Sequence, residues 1–194
     1  FHCIKMKIGA IDFDTEYQLL KNIRQEYAPS DIELRVDANG AFSPLEALEK
    51  LKRLADLQIH SIEQPIRAGQ YEQMARLCEA SPLPIALDEE LIGIACKKRK
   101  EEMLKIIKPA YIILKPSLIG GYKSSEEWIT LAQEQGVGWW ITSALEGNVG
   151  LSAIAQWTYT LGNPMPQGLG TGSLYTNNFP SSLEVKNGGL WWIK

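Results

Sequence analysis

Apolar and β-branched residues gather in seven short runs along the chain: CIKMKI (3–8), IELRVD (32–37), IHSIE (59–63), PIALD (84–88), YIILK (111–115), GWWITS (138–143) and QGLG (167–170). They read as strands. Between them lie stretches with helical spacing, at 13–27, 43–57, 70–80, 94–107, 123–135 and 149–161. The clearest is SPLEALEKLKRLADL (43–57), where Leu45, Leu48, Leu51, Leu54 and Leu57 recur every three residues. Ser43 is placed as its N-cap, Pro44 falls at the first helical position and Glu46 completes a capping box. Strand alternating with helix predicts βα units on a parallel sheet.

A polar residue closes each of the first six runs. Lys7 is followed by Asp37, Glu63, Asp88, Lys115 and Ser143, at intervals of 30, 26, 25, 27 and 28 residues. Each interval is one βα period, and in a closed barrel of parallel strands the C-terminal strand ends meet at one mouth. The first run adds a second lysine. Lys5 and Lys7 lie two apart, so in a strand they share a face, ~7 Å from one another. Their repulsion at an effective dielectric near 20 is roughly 2 kcal/mol, enough to lower one pKa by between one and two units. A solvent-facing edge strand explains the pair by itself. The aligned strand ends give it a chemical use.

Asp37, Glu63 and Asp88 form an all-oxygen set on three successive strands, which suits Mg²⁺, with Mn²⁺ as a substitute. Lys7 stands one strand before the trio and Lys115 one strand after. A divalent ion between two lysines can hold a substrate carboxylate and acidify its α-proton, and a lysine of lowered pKa can remove that proton.

Composition narrows the partners. The chain has 194 residues, 45% hydrophobic and 22% charged, with a net charge of −3, so no basic excess is available for nucleic acid. No apolar run has the ~18–20 residues needed to span a membrane. Cys3, Cys78 and Cys96 form neither a disulfide framework nor a metal spacing, which predicts a reducing cytoplasm. With only His2 and His60, a three-histidine zinc site is excluded. CKKRKEEMLK (96–105) reads as a solvated helix face, with Lys97 and Lys98 able to pair with Glu101 and Glu102. GLGTGS (168–173) departs from the dinucleotide fingerprint, since Ser173 replaces the last glycine and no helix follows. Its backbone amides suit a carboxylate.

The motifs together resemble the enolase superfamily, in its muconate-lactonizing-enzyme branch. K-x-K is Lys5-Met6-Lys7, D-x-N is Asp37-Ala38-Asn39, the glutamate of SIEQP is Glu63, the aspartate of LDE is Asp88, and Lys115 closes the fifth run. The resemblance covers essentially the whole chain. Within the branch, LKPSLIGG (114–121) and ITSALEGNVGL (141–151), followed by GLGTG, are most similar to the o-succinylbenzoate synthase family.

That resemblance implies a TIM-like (β/α) barrel and a metal-dependent carbon–oxygen lyase. The implied reaction is the syn dehydration of 2-succinyl-6-hydroxy-2,4-cyclohexadiene-1-carboxylate to o-succinylbenzoate, a step of menaquinone biosynthesis. Lys7 would be base and then acid, Lys115 would stabilise the enediolate from the opposite face by a cation–π contact, and Lys5 would tune Lys7. Arg35 matches a substrate-contacting arginine, Asn39 comes with D-x-N, and Ser143, Gly168 and Gly170 are candidates for the succinyl end.

The sequence opens at Phe1 directly in the K-x-K run, so the expectation is of a piece whose N-terminal capping domain and first barrel strand are removed or not included. The expectation is a barrel domain over 1–180, carrying strands two to eight, and a tail over 181–194 that returns to the missing cap, with Trp191 and Trp192 as exposed apolar surface. Unpaired sheet edges invite association, so a homo-oligomer is compatible with this reading. Two alternatives stand beside the lyase. One is a dipeptide epimerase or N-acylamino-acid racemase, although SALEGN (143–148) departs from the epimerase pattern. The other is an inactive barrel fragment that needs its N-terminal part.

Overall fold

In the computed structural model, which describes residues 1–171 and 174–193, six of the expected strands form one parallel sheet in chain order. They are β1 (Cys3–Lys7), β2 (Glu33–Asp37), β3 (Ser61–Glu63), β4 (Ile85–Leu87), β5 (Tyr111–Leu114) and β6 (Gly138–Ile141). Between and after them run α1 (Phe13–Glu26), α2 (Ala47–Ala55), α3 (Tyr71–Ala80), α4 (Lys97–Ile107), α5 (Gly121–Glu134) and α6 (Asn148–Thr160). Each strand pairs in parallel with the next, the order of an incompletely closed β/α barrel.

Alternation along the strands sorts their side chains. Leu34, Val36, Ile62 and Leu114 belong to the large buried core that also holds Leu20, Leu51, Leu54, Met74 and Trp128 of the helices. The intervening residues of the later strands form a second cluster inside the barrel, made by Ala86, Ile113 and Trp140. On β2 the same alternation places Arg35 and Asp37 on the inner face beside Lys5 and Lys7, their in-register partners.

The seventh run departs from expectation. QGLG forms no strand, only a single parallel bridge between Gly168 and Thr142, in which Gly168 N donates to Ile141 O (2.9 Å) and Ser143 N to Gly168 O (3.0 Å). Two glycines lack the side chains that hold a strand on a half-buried surface, and Pro164 and Pro166 just before remove ladder donors. Glycine is required at the bridge, because a Cβ on Gly168 would lie 2.7 Å from Thr142 Cγ2. Gly172 and Ser173 of GLGTGS lie outside the described residues.

Two helices also differ from their sequence reading. Only half of the capping box at α2 forms, with Ser43 N donating to Glu46 Oε1 at 3.3 Å, and the helix itself begins at Ala47. Leu51 and Leu54 are fully buried while Leu45 is 97% exposed. A three-residue spacing falls back about 60° per step around a 3.6-residue helix, so five leucines cannot share one face. In α4 the basic run is not uniformly solvated. Lys98–Glu102 and Lys105–Glu101 pair on the surface, but Lys100 is wholly buried. Its ammonium donates to Ser124 Oγ (2.6 Å), Ser124 O (3.1 Å) and Glu127 (3.1 Å) on α5.

The C-terminal residues form an antiparallel hairpin of β7 (Leu183–Lys186) and β8 (Gly189–Trp192). Asn187 and Gly188 turn it with φ of 52° and 75°, the left-handed pair that suits two-residue hairpin loops. Its turn abuts the start of the chain, since a Cβ on Gly188 would lie 3.2 Å from Phe1 Cα. Leu190 packs on the core, whereas Trp191 and Trp192 are 58% and 57% exposed. Among the described residues no helix is long and apolar enough to cross a membrane.

Candidate active site

Register brings the first three strand ends onto one rung: Lys7 pairs with Asp37 and Asp37 with Glu63. Asp88 and Lys115 follow directly after β4 and β5. Their side chains make a continuous arc of alternating charge. Lys7 Nζ is 3.0 Å from Asp37 Oδ2, which lies 3.2 Å from Lys5 Nζ. Lys5 then meets Glu63 Oε2 at 2.5 Å. Lys115 stands 3.7 Å from the other oxygen of Glu63 and hydrogen-bonds Asp88. The carboxylates are buried, while Lys7 is 70% exposed at the rim.

Burial and charge act on these groups in opposition. Burial alone would lower Lys5, but Glu63 and Asp37 outweigh it and hold the ammonium above the ordinary lysine value. Lys115 is raised likewise, with Asp88 and Glu63 overcoming its burial. Burial works against Asp37 as well, yet Lys5 and Lys7 bring it below the usual carboxylate range. Glu63 goes the other way. Burial, then the charges of Asp37 and Asp88, push it up to about 7 against the pull of Lys5. Glu63 is raised even though Lys5 meets it at 2.5 Å and Lys115 stands at 3.7 Å. Lys5 owes its shift to the carboxylates it contacts, Glu63 and Asp37.

Among the described residues, no group of three or more acidic, histidine or cysteine side chains converges as a metal site. Lys5 and Lys115 draw the trio's oxygens toward their ammonium groups instead. The donor set nevertheless fits a hard divalent cation. Glu63 Oε1 is buried without a hydrogen-bond partner, in a carboxylate that burial and like charges push toward neutrality, and all three side chains offer oxygen.

The other expected residues divide. Asn39 joins the arc: its Oδ1 accepts from Lys7 (2.5 Å), its Nδ2 donates to Glu89 (2.9 Å) and its backbone N–H reaches Asp37 Oδ1 (3.0 Å). Arg35 lies deeper in the barrel and is buried. It stacks over Trp140 at 4.1 Å, donates to Glu33 (2.6 Å) and Pro166 O (3.2 Å), and leaves Nη2 without a partner. Ser143 and Gly168 engage their backbone groups with each other, while Gly170 is exposed next to β7. A cleft of about 410 Å³ between Gly147–Gly150 and Tyr175–Phe179 is lined by none of the arc residues. Charge marks this site.

Sequence reading missed the groups that brace the mouth. Gln64, fully buried, accepts from Asp88 N at 3.2 Å and donates to Ile66 O at 3.0 Å, tying the ends of β3 and β4. Buried Glu16 gathers the amides of Gly9, Ala10 and Ile11 behind Lys7, and buried Glu90 binds Gly69 N with both oxygens. Gln64, next to Glu63 and before Pro65, carried a local signal. The two glutamates carried none, because their partners are main-chain groups of loops.

A parallel β/α barrel with lysines at both ends of an arc of buried carboxylates defines the class. The chain belongs to the enolase C-terminal domain-like family, which it matches over residues 1–191. It is 60% identical over 190 residues to the o-succinylbenzoate synthase of Desulfotalea psychrophila, covering 98% of this chain and 51% of that protein. The crystal structure of MenC from Desulfotalea psychrophila superposes with a TM-score of 0.94 at 58% identity, over 98% of this chain and 52% of that one. An N-succinylamino acid racemase of Thermus thermophilus is 32% identical over 187 residues, 95% of this chain and 48% of that protein. The chain spans about half the length of these relatives.

Proposed function

We propose that this chain supplies the catalytic barrel of an o-succinylbenzoate synthase-type lyase. The observation that carries the reading is the charged arc from Lys7 through Asp37, Lys5 and Glu63 to Lys115 and Asp88. The substrate is a small carboxylate, 2-succinyl-6-hydroxy-2,4-cyclohexadiene-1-carboxylate, in the cytoplasmic synthesis of menaquinone. Nucleic acid and membrane have no part in it. Asp37, Glu63 and Asp88 would hold Mg²⁺, which when bound draws charge from the substrate carboxylate and acidifies the neighbouring C–H.

Lys7, exposed at the rim and steadied by Asn39, takes that proton in its neutral form. The same lysine returns the proton to the departing hydroxide. The C–H and C–O bonds break on one face, and water leaves. Lys115, at the other end of the arc, stabilises the negative charge that develops on the ring. Lys5 bridges Asp37 and Glu63 and fixes their spacing. Arg35 supports the inner wall beneath Lys5, and Ser143 and Gly170 line the succinyl side, with Gly168 holding that segment against β6.

A second reading, racemisation of N-acylamino acids, is favoured by two observations: lysines stand on both sides of the carboxylates, and the Thermus relative is a racemase by name. The discriminating experiment incubates the protein and Mg²⁺ with each substrate class in D₂O. Loss of water from the cyclohexadiene, without α-deuterium entering N-succinylamino acids, supports the lyase. The reverse pattern supports the racemase. If neither occurs until a longer polypeptide is supplied, the barrel is incomplete alone.

A further inference from the structure

The loop after β6 is organised around one carboxylate that the proposed chemistry does not use. Glu146 Oε1 accepts from Ser117 Oγ (2.5 Å), while its Oε2 accepts from Ser143 Oγ (2.6 Å) and Ala144 N (2.9 Å). Ser117 stands two residues after Lys115, and Ser143 follows the end of β6, so this side chain joins two neighbouring loops of the mouth. Between Ser143 and Glu146 the backbone of Leu145 is left-handed, at φ 66°. A leucine rarely adopts that conformation unless its surroundings impose it. Here they do: Leu145 N donates to Ser143 Oγ (2.9 Å), and Leu145 O accepts from Tyr175 OH (2.7 Å). Leu145 is nevertheless 54% exposed, so core packing does not explain the strain.

We propose that Glu146 is a positioning residue. It clamps the Lys115 and Ser143 loops together and holds Leu145 as an apolar wall of the substrate site. With three donors on its two oxygens, the carboxylate is committed to holding and not to proton transfer. Burial tends to raise it, but Ser117 and Ser143 keep it below the usual glutamate value. Glutamine can keep the arrangement, its oxygen toward Ser143 and Ala144 N and its amide toward Ser117, whose hydroxyl can accept. Alanine cannot.

The clamp is read in the full chain by hydrogen exchange at Ala144 and Leu145, and its effect on the site, which rests on the lyase reading, by dehydration kinetics. Glu146→Ala should speed exchange at both amides by ~10-fold or more, while Glu146→Gln keeps it near the starting rate. In kinetics Glu146→Ala should raise KM by ~10-fold with a smaller fall in kcat, and glutamine should restore both to within about threefold. Leu145→Gly should keep the exchange protection at Ala144 and still raise KM. If alanine does not fold, Ser117→Ala removes one arm of the clamp and should give the same changes in reduced size. Unchanged exchange in Glu146→Ala or, if that variant does not fold, in Ser117→Ala would overturn the clamp. A kcat as low in Glu146→Gln as in Glu146→Ala would make the carboxylate a proton donor instead. Absence of dehydration in the unsubstituted protein would count against the lyase reading alone, since exchange still decides the clamp.

Discussion

Lys5 reaches past its own neighbour to find Glu63. Its in-register partner on β2 is Arg35, a like charge, yet its Nζ lies 2.5 Å from Glu63 Oε2 on β3. The long stem leans toward the strand ends, where Asp37 and Glu63 stand, and so leaves Arg35 to stack on Trp140. One lysine thereby ties three strands and sets the spacing of two carboxylates.

Glu63→Gln removes the central charge and leaves the shape. The expected result is at least ~10-fold weaker binding of Mn²⁺, measured by titration calorimetry or electron spin resonance, with an unchanged far-ultraviolet spectrum. The fold should survive because a buried amide avoids the ionisation that burial and Asp37 and Asp88 oppose. Unchanged Mn²⁺ affinity would remove Glu63 from the metal assignment.

Lys7 and Lys115 should separate by role. Lys7→Ala should lower the turnover number by ~10²–10⁴-fold, the range of a lost general base. Lys115→Ala should also slow turnover, but Mn²⁺ affinity should fall by less than in Glu63→Gln, since an ammonium is not a ligand. Substantial dehydration by Lys7→Ala would refute its place as base.

Lys100 is a stability residue. Its buried ammonium holds α4 against α5 through Ser124 and Glu127, and its side chain is 0% exposed. Lys100→Ala should cost about 2–4 kcal/mol in urea unfolding, combining a cavity with the lost ion pair. Lys100→Met keeps the stem and should cost less than half as much. Glu127 is partly exposed and can rehydrate when left alone.

His60 gives the fold a pH response. Burial lowers its pKa, opposed by Glu33 and reinforced by Arg35, and its ring stacks on Tyr111 at 5.1 Å. The unfolded chain then binds the proton more readily. The stability this group contributes is full above the unfolded value near 6.5 and is lost as pH falls through that value toward the folded one. Between pH 7.5 and pH 5 the melting temperature should drop further in the natural chain than in His60→Gln. Equal drops would locate the acid sensitivity elsewhere.

What the sequence made legible was whatever depends on position along one strand or helix. The strand ends at Lys7, Asp37, Glu63, Asp88 and Lys115 could be read because one βα period separates each from the next. Contacts across the sheet could not. That Lys5 pairs with Glu63 and not against Lys7 depends on how far a flexible stem leans. Lys100 lies in a run of charges whose composition suggests water, and its burial follows only from Ser124 and Glu127 on the next helix. QGLG sits at the right place for a strand, but its glycines sustain only one bridge.

The rung that aligns Lys7, Asp37 and Glu63 also bears on how such proteins diverge. Each group arrives on its own strand and is followed by its own helix, so a change at one strand end leaves the main chain of the others in place. Inheritance can then act on the chemistry piecemeal: one unit exchanges its terminal residue while its neighbours keep theirs. A synthase at 60% identity and a racemase at 32% both match this barrel, whose strand-end side chains sit on separate βα units.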